Sequence, residues 1–230
     1  MASPTSTTTA ATLLHLLLTL VAFLPYSAEA AEPVLVTVYY ESLCPDSQRF
    51  ITTQLYPVWI DLKDIMVLDV NAYGKSSDTS VGEGYTFECQ HGPDECEGNM
   101  MLTCAKGYIP SEEQFMAFTN CVMTNFVGAA AGKQCAHEAG VDFANIENCY
   151  NTVEGQQLQH QVGLKQATLD PQLIYVPWIL IDDVFSEEQL SAAQEDLRGV
   201  VCEAYQGQKP DLCNNKDFVY QYRHRFDSGI

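Results

Sequence analysis

The chain has 230 residues, 47% of them hydrophobic and 10% aromatic, with thirty acidic side chains against eleven basic ones. That apolar content supplies a core and excludes global disorder, and the length fits one domain with an inserted subdomain. A formal net charge of −19, with the Lys and Arg scattered along the chain, excludes nucleic acid as a partner.

Residues 1–30 read as a signal peptide. Ala11 to Leu24 is apolar apart from Thr12, His15 and Thr19, and Pro25 leads to Ala28-Glu29-Ala30, a small-x-small pair suited to cleavage after Ala30. The run is shorter than the ~18 apolar residues of a spanning helix. No later segment is longer, so no membrane span is expected. Cleavage leaves 31–230 as the mature chain, with all nine cysteines in the secretory pathway, where disulfides form. Nine is odd, so at least one thiol is left without an intramolecular partner.

Val34 to Tyr40 is β-branched and aromatic and predicts a buried strand. A turn through Glu41-Ser42-Leu43-Cys44 leads to Pro45, suited to a first helical position, and Asp46, which complements the positive helix end. Phe50, Ile51, Leu55, Val58 and Trp59 then recur at helical spacing, and Ile65 to Val70 predicts a second strand. Asn71 to Gly84 is polar and Gly/Ser-rich and reads as a surface connection.

From about 85 to 167 the pattern is mostly helical and holds six of the nine cysteines. Ser111-Glu112-Glu113-Gln114 matches a capping box, and Phe115, Phe118, Val122 and Phe126 form a stripe assigned to the core. The last part returns to α/β. Ile174 to Ile181 predicts a strand interrupted at its start by Pro177, Asp182-Asp183 a turn into Val184-Phe185, and Ser186 to Gln189 the cap of a helix running to about Tyr205. The fold class is therefore α/β, a small mixed sheet with a cysteine-rich helical insertion.

Cys44 carries the most chemical information. It follows a strand and stands at a helix start, where free N–H groups and the helix dipole stabilise a thiolate, as in thioredoxin-like redox sites. Such a thiolate attacks a disulfide sulfur to form a mixed disulfide. The alternative is that Cys44 is half of an ordinary bridge. Ser47 stands where a dithiol reductase has its resolving cysteine; it is a candidate donor to the thiolate but cannot expel a bound sulfur. Val176-Pro177 is either a cis pair facing that cysteine and offering backbone to an extended substrate, or an inert trans edge proline. Cys89, His91, Cys96 and Cys104 lack the close pairs of a zinc site, so no metal is assigned and disulfides are expected there. His91 reads as a hydrogen-bonding residue.

Cys89-Gln90-His91-Gly92 through Glu95-Cys96, Asn99 and Cys104 resembles the signature CQHGxxECxxNxxxxC of the gamma-interferon-inducible lysosomal thiol reductase family. Tyr39 to Cys44, Tyr175-Val176-Pro177-Trp178, and Val201-Cys202 through Tyr205-Gln206-Gly207 to Lys209-Pro210-Asp211 and Cys213 are also similar to family segments. The resemblance implies a thioredoxin-like domain over 31–230, with its insertion at about 85–167, that reduces disulfide-containing proteins in acidic compartments. It makes Cys44 the nucleophile and Val176-Pro177 the substrate-facing segment, with Ser47 in place of the family's second active-site cysteine.

The expected function is thiol–disulfide oxidoreduction through one cysteine, with no bound cofactor and with glutathione or free cysteine as external reductant. A thiol-binding scavenger without turnover is the alternative, and a disulfide-stapled structural protein the third. Cys89, Cys96, Cys104, Cys121, Cys135, Cys149, Cys202 and Cys213 are the disulfide candidates, with connectivity open among 105 pairings. The expected location is the secretory pathway, with a lysosomal or vacuolar or an extracellular destination; no N-x-S/T sequon occurs, which counts against lysosomal delivery by a glycan tag and keeps vacuolar, endosomal and extracellular destinations open.

Overall fold

The computed structural model describes residues 31–214; the expected signal peptide and the tail 215–230 lie outside them. Every element below belongs to the unit Glu32–Ile230. Strand β1 (Val34–Tyr40) is apolar at successive positions because both its faces are covered, with Val34, Val36, Val38, Tyr39 and Tyr40 all buried. The chain then crosses Glu41–Cys44 and enters α1 (Pro45–Phe50). A π-helical stretch (Ile51–Leu55) and α2 (Tyr56–Leu62) continue it, laying Phe50, Ile51, Leu55, Val58, Trp59 and Leu62 into the core. Strand β2 (Met66–Ala72) pairs in parallel with β1, from Val34↔Met66 to Tyr40↔Ala72, and starts and ends slightly later than its sequence pattern suggests.

The stretch expected to be a bare connection instead carries β3 (Ser77–Val81), which forms a hairpin with β4 (Gly84–Glu88), a strand at the start of the segment expected to be mostly helical. β3 lacks an apolar face, whereas in β4 the partly buried Tyr85 and Phe87 alternate with the exposed Thr86 and Glu88. Polar and ring contacts hold the hairpin. Tyr85 stacks on His160 with centroids 3.9 Å apart, Asp78 accepts from Tyr73 Oη at 2.5 Å and lies 2.7 Å from His160 Nδ1, and Tyr85 N donates to Gln156 Oε1.

The insertion follows as α3 (Pro93–Tyr108), α4 (Glu112–Asn125), a 3-10 turn (Gly128–Ala131), α5 (Gly132–Ala139), α6 (Phe143–Tyr150) and α7 (Val153–Gln166). Ser111 Oγ accepts from Gln114 N, but Gln114 turns its own amide to the Ala139 and Gly140 carbonyls, so the capping box is only half closed. Phe115, Phe118 and Val122 are buried, whereas Phe126 is 60% exposed. This corrects the four-residue stripe: the helix ends at Asn125, and Phe126 takes a left-handed φ of 58° that swings it out of register. Cys104–Cys149 ties α3 to α6, Cys121–Cys135 ties α4 to α5, and Cys89–Cys96 closes the approach to α3.

Strand β5 (Trp178–Ile181) returns to the centre of the sheet, antiparallel to β1. It begins four residues later than expected, because Ile174–Pro177 stays outside the ladder and Pro177 has no N–H to give it. Asp182 and Asp183, with φ of 51° and 60°, turn the chain into β6 (Val184–Phe185), a conformation short polar side chains tolerate. The sheet order is β2-β1-β5-β6. Helix α8 (Glu187–Ala204) packs on β5 and is clipped to a final 3-10 turn (Asp211–Cys213) by Cys202–Cys213.

Candidate active site

The end of β1 delivers Cys44 to the start of α1. Cys44 is the N-cap residue, extended at φ −71° and ψ 120°, with Pro45 opening the helix and Asp46 in its first turn. All nine cysteines lie among the described residues. Eight are paired, and Cys44 is the free one, at 9% exposure. The zinc reading of Cys89, Cys96 and Cys104 thereby falls away, since their sulfurs are disulfides rather than thiolates.

Val176 and Pro177 stand opposite. The bond between them is cis, and the Val176 carbonyl oxygen lies 4.0 Å from Cys44 Sγ, a long reach for a thiol donor. Ser47 is buried beneath the same turn. Its Oγ accepts from Glu41 N at 3.4 Å and makes no hydrogen bond to the Cys44 sulfur, so the expected direct support of a thiolate by Ser47 is not what the structure displays.

The residues Glu41-Ser42 before the nucleophile are held from three sides, and the sequence assigned these braces no role. Ser42 N donates to Asn99 Oδ1 at 2.8 Å, Ser42 Oγ to the Glu95 carbonyl at 3.2 Å, and Gln48 Nε2 to the Ser42 carbonyl at 2.8 Å. Ser42, Gln48, Glu95 and Asn99 are all buried, so each bond replaces water that cannot reach it. A Cβ at Gly98 would stand 2.5 Å from Ser42 Oγ, so helix α3 approaches this closely only with glycine there. The Cys89-to-Cys104 signature thus has a physical use: it props the loop that carries Cys44. Its glutamate and asparagine were visible in the sequence as motif letters, without a distance to show what they touch.

Glu41 itself is fully buried. Its Oε1 accepts from Lys75 N at 2.6 Å, with Gly74, at φ +61°, leaving the space the carboxyl occupies. His91 joins it to the start of α3, with Nδ1 2.6 Å from Glu95 Oε2 and 3.5 Å from Glu41 Oε2, and its N–H donating to Glu95 Oε1 at 2.9 Å. Burial pushes the Glu41 carboxyl above its usual range and the Glu95 charge adds to this, while the Lys75 N–H and His91 draw it down.

A mixed sheet that presents one free cysteine at a helix start, beside a cis-proline segment, defines a thioredoxin-like thiol–disulfide oxidoreductase. The solved structure of DsbA from Mycobacterium tuberculosis shares this fold, with a TM-score of 0.51 at 17% identity over 81% of this chain and 89% of that one. DsbG from the same organism scores 0.50 at 18% identity, covering 79% and 82%.

Residues 35–139 match the family described as gamma interferon inducible lysosomal thiol reductase. GILT-like protein 1 of Drosophila melanogaster is 36% identical over 203 residues, 82% of this chain and 81% of that protein. The gamma-interferon-inducible lysosomal thiol reductase of Carassius auratus is 36% identical over 185 residues, covering 80% and 73%. The chain belongs to the gamma-interferon-inducible lysosomal thiol reductase family.

Proposed function

We propose that this protein reduces protein disulfides through Cys44 alone and depends on an external thiol to complete each cycle. The observation that carries the reading is the pairing of the other eight cysteines, which leaves Cys44 as the free sulfur and places none of the remaining thiols in reserve. The Cys44 thiolate attacks one substrate sulfur, forming a mixed disulfide and releasing the first substrate thiolate. An external thiolate, glutathione or cysteine, then attacks the Cys44 sulfur and expels the second. A second external thiolate frees Cys44 and leaves as the oxidised dimer. Two external thiols are oxidised for each disulfide reduced, and no bound cofactor enters.

Val176 and Pro177 serve as the substrate platform. They lie beside the sulfur but outside the β5 ladder, so the Val176 carbonyl is available to pair with an extended segment carrying the target disulfide. Ser47 acts through position, fixing the end of β1 under the nucleophile.

The destination is a disulfide-permissive, acidic part of the secretory pathway, lysosomal or vacuolar, or outside the cell. Four disulfides and a sequence pI near 4.3 support it. Among the described residues no helix is long and apolar enough to cross a membrane.

The test is glutathione-driven reduction of a disulfide-linked protein by native enzyme and by Cys44→Ser. Turnover only with native enzyme supports the reading. Equal rates sink it, and native adducts that glutathione cannot release favour a scavenger.

A further inference from the structure

The Glu41, His91 and Glu95 cluster lies outside the exchange chemistry and carries an unresolved charge problem. One ligand-type atom from each of the three side chains falls within 4.8 Å of the others. Both carboxylates are fully buried, and the His91 side chain is 31% exposed. Glu95 has partners for both oxygens in the N–H and ring of His91. Glu41 has one: Oε1 takes the Lys75 N–H, while Oε2 is buried with no hydrogen-bond partner. The nearest polar group to that oxygen is His91 Nδ1, at 3.5 Å and already 2.6 Å from Glu95 Oε2, so Oε2 has an ion-pair neighbour but no hydrogen bond. A buried oxygen short of a hydrogen bond costs ~1–3 kcal/mol.

We propose that Glu41, His91 and Glu95 form a binding site for a divalent cation of the zinc class. The donor set, one imidazole nitrogen and two carboxylate oxygens, is of the kind zinc takes at ~2.0–2.2 Å. Calcium wants six to eight oxygens, more than the three side chains provide. Tetrahedral ligands at the zinc lengths stand ~3.4 Å apart, so the 3.5 Å separation of Nδ1 from Glu41 Oε2 already fits and the 2.6 Å contact to Glu95 Oε2 must open by most of an ångström to admit an ion. The partly exposed His91 side chain is the side from which an ion enters. Three protein ligands with an open position leave the ion exchangeable rather than sealed in.

The site joins two segments that are far apart in sequence, the end of β1 and the approach to α3. Glu41 is three residues before Cys44, and the peptide carbonyl of Glu95 already holds Ser42. A bound cation adds a third tie across this joint and stiffens the support of the nucleophile. The inference does not depend on how Cys44 turns over, because no ligand is a sulfur.

The experiment is calorimetric titration of chelator-treated Cys44→Ser protein, disulfides intact, with Zn²⁺; the substitution removes the one free thiol as a competing ligand. Saturable binding of one ion, weakened at least tenfold in Glu41→Gln and in His91→Gln, is the expected result. Absence of saturable binding below millimolar Zn²⁺, or unchanged affinity in both variants, overturns the proposal. Because burial makes Glu41 sensitive to substitution, Co²⁺ is added to the unsubstituted cluster as a second probe. Intense visible ligand-field bands of low-coordinate cobalt support the site, and their absence overturns it.

Discussion

Asn99 offers the sharpest test of how the active-site loop is held. In Asn99→Ala the Ser42 N–H loses its 2.8 Å acceptor while remaining buried, since Ser42 is 0% exposed. An unmade bond to a buried donor costs ~1–3 kcal/mol, and the small cavity left by the amide adds to it. The loss is offset in part because Asn99 Nδ2 is itself buried without a partner, and the substitution removes that atom too. The expected destabilisation is about 2 kcal/mol, read as a lower urea midpoint at unchanged slope. If instead the loop swings to rehydrate Ser42, stability falls less, and Cys44 reacts with iodoacetamide several-fold faster as its sulfur leaves the 9% exposed position. Both readouts share one cause. A variant with less than ~0.5 kcal/mol of destabilisation and the native alkylation rate would refute the bracing role.

Removing the Cys104–Cys149 bridge with paired alanine substitutions opens a loop of 45 residues, which the chain-entropy account values at about 4 kcal/mol. The thermal midpoint should drop accordingly, and by more than on removal of Cys89–Cys96, whose separation is 7. Burial raises the Asp69 carboxyl, but hydrogen bonds from Lys106 and Lys165 outweigh it and bring the pKa to about 2. A lowered folded-state pKa stabilises above the unfolded value near 4 and is lost as pH falls toward 2. After screening at the half-exposed lysines, Asp69→Asn should cost ~1–2 kcal/mol at pH 6, with the cost shrinking as pH falls through 2, measured by urea unfolding at each pH. Ser47→Cys places a second thiol three residues after Cys44, in the buried position now held by Ser47. The trapped Cys44 adduct should then decay without added glutathione, and an adduct as persistent as in the native chain would count against the one-cysteine account.

Much of the sheet was legible because β1 and β5 are buried on both faces and so are written mostly in β-branched and aromatic residues. Asp182-Asp183 and the two serine caps were legible for a local reason, since each satisfies its backbone within a few positions. The β3–β4 hairpin was not. Its cohesion comes from Tyr85 on His160 and from Asp78 between Tyr73 and His160, contacts between residues up to 82 apart. Phe126 misled for a related reason, because periodicity cannot show where a helix stops. At the site, Cys44, Ser47 and Val176-Pro177 could be singled out by type and position. Glu41, Ser42, Gln48 and Asn99 could not, because a buried glutamate looks like a surface one until its neighbours are known.

The recess around Cys44 also governs whom the sulfur can meet. Two sulfurs must come within ~2.05 Å to join, and a thiol that barely breaks the surface cannot approach an equally sunken twin. That low exposure disfavours a head-to-head disulfide between two copies of the chain. Under the one-cysteine exchange proposed above, the disulfide best shaped to meet this sulfur is one on a protruding strand or a loosened end.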